Sequence, residues 1–176
     1  MFRPLLASLV VFATLLTTST LAAQDAPPLG GLIGNAGNGG GAGAADKIIE
    51  KLSPDVVIEV LKAEGYKDLQ HVPSTKEDSP DAIFVTYEGR RVLVVVPNGG
   101  DLLQVNYFVE EHNATLKKVN DWNRNHYITK ACILSDTSVS MGADLVVAGS
   151  KKTTMAKFLN YYFSQLAPFY KEVCEE

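Results

Sequence analysis

Apolar and polar residues alternate along much of the chain in a pattern that predicts a β-sheet. Residues 92–96 are an unbroken aliphatic run, rich in valine and too short to span a membrane, which predicts a central strand buried on both sides. Residues 97–101 have the turn composition Pro-Asn-Gly-Gly-Asp, and Leu103, Val105, Tyr107 and Val109 then follow with a period of two. This pattern predicts a central hairpin whose second strand faces partly outward.

Further strands are predicted on both sides of this hairpin. Residues 81–87 alternate and are joined to Arg90 by a tight Glu88-Gly89 turn, while residues 66–72 predict a short edge strand. Residues 127–134 and 139–147 alternate again around a polar turn, which predicts a second hairpin.

Three helices are predicted around these strands. Residues 46–52 can begin a helix, and Ser53 with Pro54 is a fresh start signal for a helix that ends at Gly65. Residues 114–125 predict a short helix with Leu116, Val119 and Trp122 along one side. The last helix has an aromatic stripe that is expected to cover the sheet, with a cofactor-binding role as the alternative; its residues are Met155, Phe158, Leu159, Tyr162, Phe163, Leu166, Phe169 and Tyr170.

The order of these elements predicts an α+β fold. We expect a mainly antiparallel sheet of five to six strands with helices packed on one face, in the order α-β(3-4)-α-β(2)-α.

The N-terminal part of the chain has the pattern of an export signal. Arg3 precedes a charge-free apolar run, and small residues surround a cleavage point after Ala22 or Ala23. We predict a signal peptide at residues 1–23, a Gly/Ala-rich flexible linker at residues 24–45 and an α+β domain at residues 46–173. The mature protein is then periplasmic or secreted in a bacterium. The alternative is that the N-terminal segment is not cleaved and anchors the protein in the membrane. We expect association with the membrane in that case alone.

Composition and motifs exclude several classes of function. The net charge of −4 comes with scattered lysines and arginines, so no basic stripe for nucleic acid is present. His71, His112 and His126 are far apart and lack metal-ligand spacing, and the sequence has no GxSxG elbow or suggestive Cys-His spacing. We therefore predict a protein that is not an enzyme and has no catalytic residue, metal or cofactor.

The two cysteines and a pair of asparagines each allow two interpretations. Cys132 and Cys174 could form a disulfide in an oxidising compartment, worth roughly 3 to 4 kcal/mol, or remain two free thiols, and both states are open. Asn120 and Asn123 beside Trp122 could form a polar site, but a core tryptophan with asparagines that tie the helix end to the following strand is favoured.

Several segments together resemble the YbjN domain family. The first segment, residues 53–66, is a predicted helix that ends in Gly-Tyr. The second is an Asn-containing helix end at residues 119–125. It is followed by a predicted hairpin, residues 127–131 and 139–149, whose second strand closes on a glycine. The resemblance covers roughly residues 53–173. It implies a fold like that of the class I type III secretion chaperones, whose twisted sheet dimerises and holds extended peptides, and many family members are labelled sensory transduction regulators.

The resemblance and the missing catalytic motifs give one functional expectation and one alternative. We expect an exported, non-enzymatic binding or regulatory module of the bacterial envelope that has a protein or peptide partner. The resemblance also allows a homodimer. The alternative is a small exported hydrolase or ligand carrier with a pocket between the C-terminal helix and the sheet.

Overall fold

The structure is a computed structural model of the chain, and it describes residues 48–76, 79–97 and 99–175. The predicted signal peptide and linker lie outside the described residues.

The described elements follow the predicted order. The helices are α1 (Pro54–Ala63), α2 (Leu116–Asn125), α3 (Lys152–Ser164) and α4 (Leu166–Phe169), and a π-helical turn (Tyr170–Cys174) follows α4. The strands are β1 (Leu69–Val72), β2 (Asp81–Tyr87), β3 (Arg90–Val96), β4 (Leu102–Glu110), β5 (Lys130–Ser135) and β6 (Ser138–Val146). The predicted α+β class is confirmed.

The strands described here form one six-stranded sheet in the order β1-β2-β3-β4-β6-β5. Every neighbouring pair is antiparallel, and β1 is an edge strand, as predicted. Glu88 and Gly89 both have positive φ, 49° and 73°, which is the backbone of the two-residue turn whose twist matches the flanking strands. The predicted hairpin turn is therefore confirmed.

Helix α1 begins and ends where its sequence signals predict. The Ser53 hydroxyl accepts a hydrogen bond from the Val56 N–H at 3.4 Å, and Gly65 ends the helix with a φ of 92°. The helical start predicted at residues 46–52 is wrong for the described residues 48–52. Their backbone bonds to loops instead, with Ile49 N–H donating to Ser150 and Leu52 N–H to Gly100, each at 2.7 Å.

The hydrophobic core lies between one face of the sheet and the helices. Phe158, Tyr162 and Phe169 are buried, as predicted for the aromatic stripe. The Tyr162 hydroxyl donates a hydrogen bond of 2.6 Å to the Met141 carbonyl on β6, and burial raises the pKa of Tyr162 far above its usual value. This bond ties the long helix to the sheet at a buried position.

The C-terminal helix is not continuous, which corrects the sequence prediction. Helix α3 ends at Ser164, and the chain continues through Gln165 into the short α4 and the π-helical turn. Pro168 lacks the N–H that would bond to the Ser164 carbonyl, so the regular ladder cannot pass this point. Tyr170, predicted to continue the stripe, is 36% exposed.

Two burial predictions are also wrong. Leu116, expected along the inner side of α2 with Val119 and Trp122, is 72% exposed because it begins the helix beyond the core. Strand β3 is central, but only Val92, Val94 and Val96 are buried, while Leu93 and Val95 are partly exposed. The helices cover one face of the sheet, so β3 is buried on one side.

Candidate functional site

None of the helices in residues 48–76, 79–97 and 99–175 packs on the other face of the sheet, and we call it the uncovered face. It consists of the strand residues that alternate with the core residues. Strand register places them in rows across the sheet, one of which runs from Gln70 on β1 to Lys130 on β5. That row is Gln70, Phe84, Leu93, Asn106, Gly142 and Lys130.

One half of the uncovered face is apolar. We define the apolar patch as Phe84, Leu93, Val95 and Phe108, on strands β2, β3 and β4. Phe108 is 47% exposed. The Arg91 guanidinium lies 3.9 Å from the centre of the Phe84 ring and covers part of it, a cation–π contact at the margin of the patch.

The other half is a concave surface over strands β4, β6 and β5. This polar groove has a volume of about 490 Å³. Its walls combine amide, hydroxyl and carboxylate groups with a few apolar side chains. The lining residues are Gln104, Asn106, Tyr127, Ile128, Lys130, Ala131, Cys132, Ser140, Gly142, Ala143 and Asp144.

Gly142 and its cross-strand neighbour shape the floor of the polar groove. Asn106 on β4 pairs with Gly142 on β6, and a Cβ at Gly142 would lie 3.0 Å from the Asn106 Oδ1 atom. The missing side chain thus makes room for the Asn106 amide. In the next row Gln104 donates a hydrogen bond of 3.1 Å to Asp144, which holds both side chains on the groove wall.

The rim of the polar groove is formed by the segment between α2 and β5. Tyr127 is 88% exposed and Ile128 47%. The Lys130 ammonium turns away to the end of α2, where it donates to the carbonyls of Asn123 at 3.0 Å and His126 at 2.8 Å. The positive charge of Lys130 therefore compensates the C-terminal end of the helix dipole.

The free edge of strand β5 is partly closed by a side chain. Asn123 on α2 accepts a hydrogen bond from the Ala131 N–H at 2.7 Å and donates one to the Ala131 carbonyl at 2.9 Å. Its amide occupies the backbone groups that a further strand would use. The predicted tie between the helix end and the next strand is confirmed for Asn123, and Trp122 is a core residue with 2% exposure.

A second, smaller cavity of about 280 Å³ lies where α1 begins, beside the turn between β3 and β4. Asp81, one of its lining residues, accepts hydrogen bonds from the Ser74 N–H at 2.8 Å and pairs with His71 at 3.2 Å. The Ser74 bond, and then the His71 bond, lower the pKa of Asp81. These contacts join His71 and Ser74 to the start of β2.

The three histidines are not brought together. His71 has an acidic partner in Asp81, ten residues away, which motif spacing alone did not indicate. His112 accepts a hydrogen bond from the Ala114 N–H at 3.0 Å through Nδ1, and His126 stacks on Trp122 with ring centres 3.5 Å apart. Each histidine thus has a local structural contact.

The two cysteines lie on different sides of the sheet and are not bonded to each other in the structure. Cys132 is exposed and lines the polar groove, whereas Cys174 is buried at the end of the π-helical turn. Burial raises the pKa of Cys174 to about 11. The disulfide, one of the two states left open by the sequence, stays a prediction.

Neither cavity lies where the alternative functional hypothesis places it. No residue of α3 lines either one, and the inner side chains of that helix pack into the core. Residues 48–76, 79–97 and 99–175 contain no group of three or more His, Cys, Asp or Glu side chains suited to a metal ion. Within the same ranges, no helix has both the length and the apolar character needed to cross a bilayer.

The polar groove is the feature that the sequence analysis missed. A signal was present, because Gln104, Asn106 and Asp144 interrupt their strands at the positions that face away from the core. The sequence could not show that β4 pairs with β6 and so joins these residues into one site.

Comparison with known families bears out the resemblance. The sequence model of the YbjN family, described as "Putative bacterial sensory transduction regulator", matches residues 53–175. No protein with a curated description matches the chain.

The solved structures that are similar to this chain include the following three. YbjN from E. coli is 11% identical over 66% of this chain and 87% of its own, with a TM-score of 0.49. An uncharacterized protein from Methanothermobacter thermautotrophicus is 16% identical over 68% and 96%, with a TM-score of 0.47. The Yersinia Pestis type III secretion chaperone SycH, solved in complex with a stable fragment of YscM2, is 13% identical over 65% and 96%, with a TM-score of 0.46.

Replacing Asn123 by alanine should destabilise the domain and open the edge of β5. Two hydrogen bonds to Ala131 are lost, so we expect the free energy of unfolding to fall by about 1–3 kcal/mol. Urea unfolding measures this change, and hydrogen exchange of the Ala131 amide should become faster. Asn120, an exposed residue of the same helix, is the control, and N120A should stay within about 0.5 kcal/mol of the parent. Equal effects of the two substitutions would contradict the edge-closing role.

In the folded protein, Cys132 should react with a thiol reagent much faster than Cys174. Thiolates are the reactive form, and the raised pKa and burial of Cys174 keep it protonated at about pH 8. Its labelling should increase as the pH approaches 11, and C132S should remove the fast phase. Thiol titration of the denatured, unreduced protein then distinguishes the two states. Two reactive thiols would mean that both cysteines are free, whereas no reactive thiol would establish the disulfide.

Proposed function

The chain belongs to the YbjN family, and from this premise we propose that it is a non-enzymatic binding module that holds an extended segment of a partner protein on the apolar patch. The proposed location is the bacterial envelope, reached through the leader at residues 1–23.

The observation that carries this proposal is the uncovered, partly apolar face of the sheet. Leu93 on β3 pairs with Phe84 on β2 and lies diagonally across from Phe108 on β4, and none of the described helices covers these side chains. Contiguous exposed apolar surface on a folded domain marks an interaction site more often than isolated apolar residues do. An extended segment with apolar side chains at alternate positions fits such a surface because it presents one row of side chains to the sheet.

The chemistry of the described side chains supports a binding role over catalysis. The histidines are separated and each is engaged in a local contact. The most strongly raised pKa values belong to Tyr66 and Tyr162, and burial is the first cause in both. These hydroxyls bond to Asn160 and to the Met141 carbonyl, so they stabilise the packing of α3.

Site-specific photocrosslinking tests the proposed partner surface. A photoreactive phenylalanine analogue in place of Phe108 should crosslink to one defined polypeptide in envelope fractions, because that ring lies in the apolar patch and is 47% exposed. The control carries the same analogue in place of Tyr161, an exposed aromatic residue on α3, and should give no crosslinked product. An added L93D substitution should abolish the product.

The outcomes of this experiment discriminate between partners. A product with twice the mass of the chain would identify a second copy and turn the proposal into a homodimer interface. Equal products from both positions, or none, would contradict a partner surface on the apolar patch.

The predicted signal peptide implies that the protein in the envelope has lost its first 22 or 23 residues. Sequencing the N-terminus of the protein from the membrane-free fraction should give a start just after Ala22 or Ala23, because the small residues there fit the cleavage pattern. A start at Met1, or recovery of the protein with the membrane alone, would contradict export by cleavage.

A further inference from the structure

The polar groove lies beside the apolar patch and plays no part in the function proposed above. Its volume of about 490 Å³ falls within the roughly 300–1,000 Å³ typical of small-molecule sites. Its floor and walls come from three neighbouring strands, so the side chains around it are held by the sheet.

The charges around the polar groove favour an uncharged ligand. Lys130 directs its ammonium to the carbonyls of Asn123 and His126, so this cation is not available to an anion in the groove. Asp144 contributes a carboxylate that repels anions, and the whole chain has a net charge of −4. The described residues around the groove also include no group of three or more His, Cys, Asp or Glu side chains that could hold a metal ion.

The hydrogen-bonding groups match a ligand rich in hydroxyls. The amides of Gln104 and Asn106 each carry both a donor and an acceptor, the Ser140 hydroxyl does the same, and Asp144 accepts. A sugar hydroxyl also both donates and accepts hydrogen bonds, so these side chains can pair with its donor and its acceptor. Gln104 and Asn106 occupy alternate positions of one strand, roughly 7 Å apart along it, a spacing suited to hydroxyls on opposite sides of one ring rather than to neighbouring ones.

An aromatic side chain stands at the rim of this set. Tyr127 is 88% exposed, which is unusual for a large ring, and it lines the polar groove. The C–H face of a pyranose packs well on an aromatic ring, while its hydroxyls point sideways to polar groups. We propose that the polar groove binds a neutral oligosaccharide, with one pyranose ring against Tyr127 and its hydroxyls on Asn106, Gln104 and Asp144.

Nuclear magnetic resonance titration of the full-length protein tests this proposal. The probes are cellotetraose, maltotetraose and triacetylchitotriose, which differ in linkage and in the acetamido group. At least one should shift the Gly142 amide resonance in a saturable way, with a dissociation constant of about 1 mM or tighter. The groove is open to solvent along one side, so we expect weak binding. Hexaglycine and glucose 6-phosphate are the peptide and anionic comparators and should not saturate.

Variants locate the contact. Y127A removes the aromatic platform from an exposed position and should weaken binding by about tenfold. Y161A, an exposed tyrosine on α3, is the matched control and should leave the affinity unchanged. G142A places a methyl group against the Asn106 amide and should also weaken binding, which is read in this variant at the amide of Ala143, another lining residue. The remaining resonances report whether the fold is kept.

Three results would overturn the proposal. These are no saturable shift with any of the three oligosaccharides, an unchanged affinity in Y127A, or saturation by the peptide or the phosphate. The proposal does not depend on the partner protein, because crosslinking from Phe108 reports on the apolar patch and the Gly142 amide reports on the polar groove.

Discussion

The packing of helices on one side of the sheet is the constraint on which the rest of the structure depends. Phe158, Tyr162 and Phe169 supply the bulk of one apolar layer, and the helix that carries the first two is fastened to β6 by the Tyr162 hydroxyl. A six-stranded sheet has two faces, and the described helices cover one. The other face must therefore remain compatible with water, which explains the polar groups on β4 and β6.

Much of the fold could be predicted because its signals are local. Ser53 and Gly65 bound the first helix through their own backbone chemistry, and the Glu88-Gly89 turn needs only two adjacent residues. The interruption before α4 also had a local signal in Pro168, but the strong apolar periodicity of the segment favoured one continuous helix.

The candidate site could not be predicted in the same way, because it depends on contacts between distant segments. Asn106 and Gly142 are meaningful together only after β4 has paired with β6 in a particular register. The aliphatic run of β3 shows the same limit. Residue type alone cannot distinguish a strand buried on both sides from one whose outer face, at Leu93 and Val95, is left for an interaction.

The connection between α2 and β5 links the stability of the sheet to the character of the groove. The Asn123 side chain bonds to the Ala131 backbone, while the Asn123 carbonyl accepts from Lys130. The first interaction closes the strand edge, and the second removes a cation from the groove. Because both interactions converge on Asn123 at the end of one short helix, a rearrangement there would expose a strand edge and release a positive charge together. The rim position of Tyr127 depends on the same helix end, since the residue lies between His126 and Lys130 in the segment that these bonds hold.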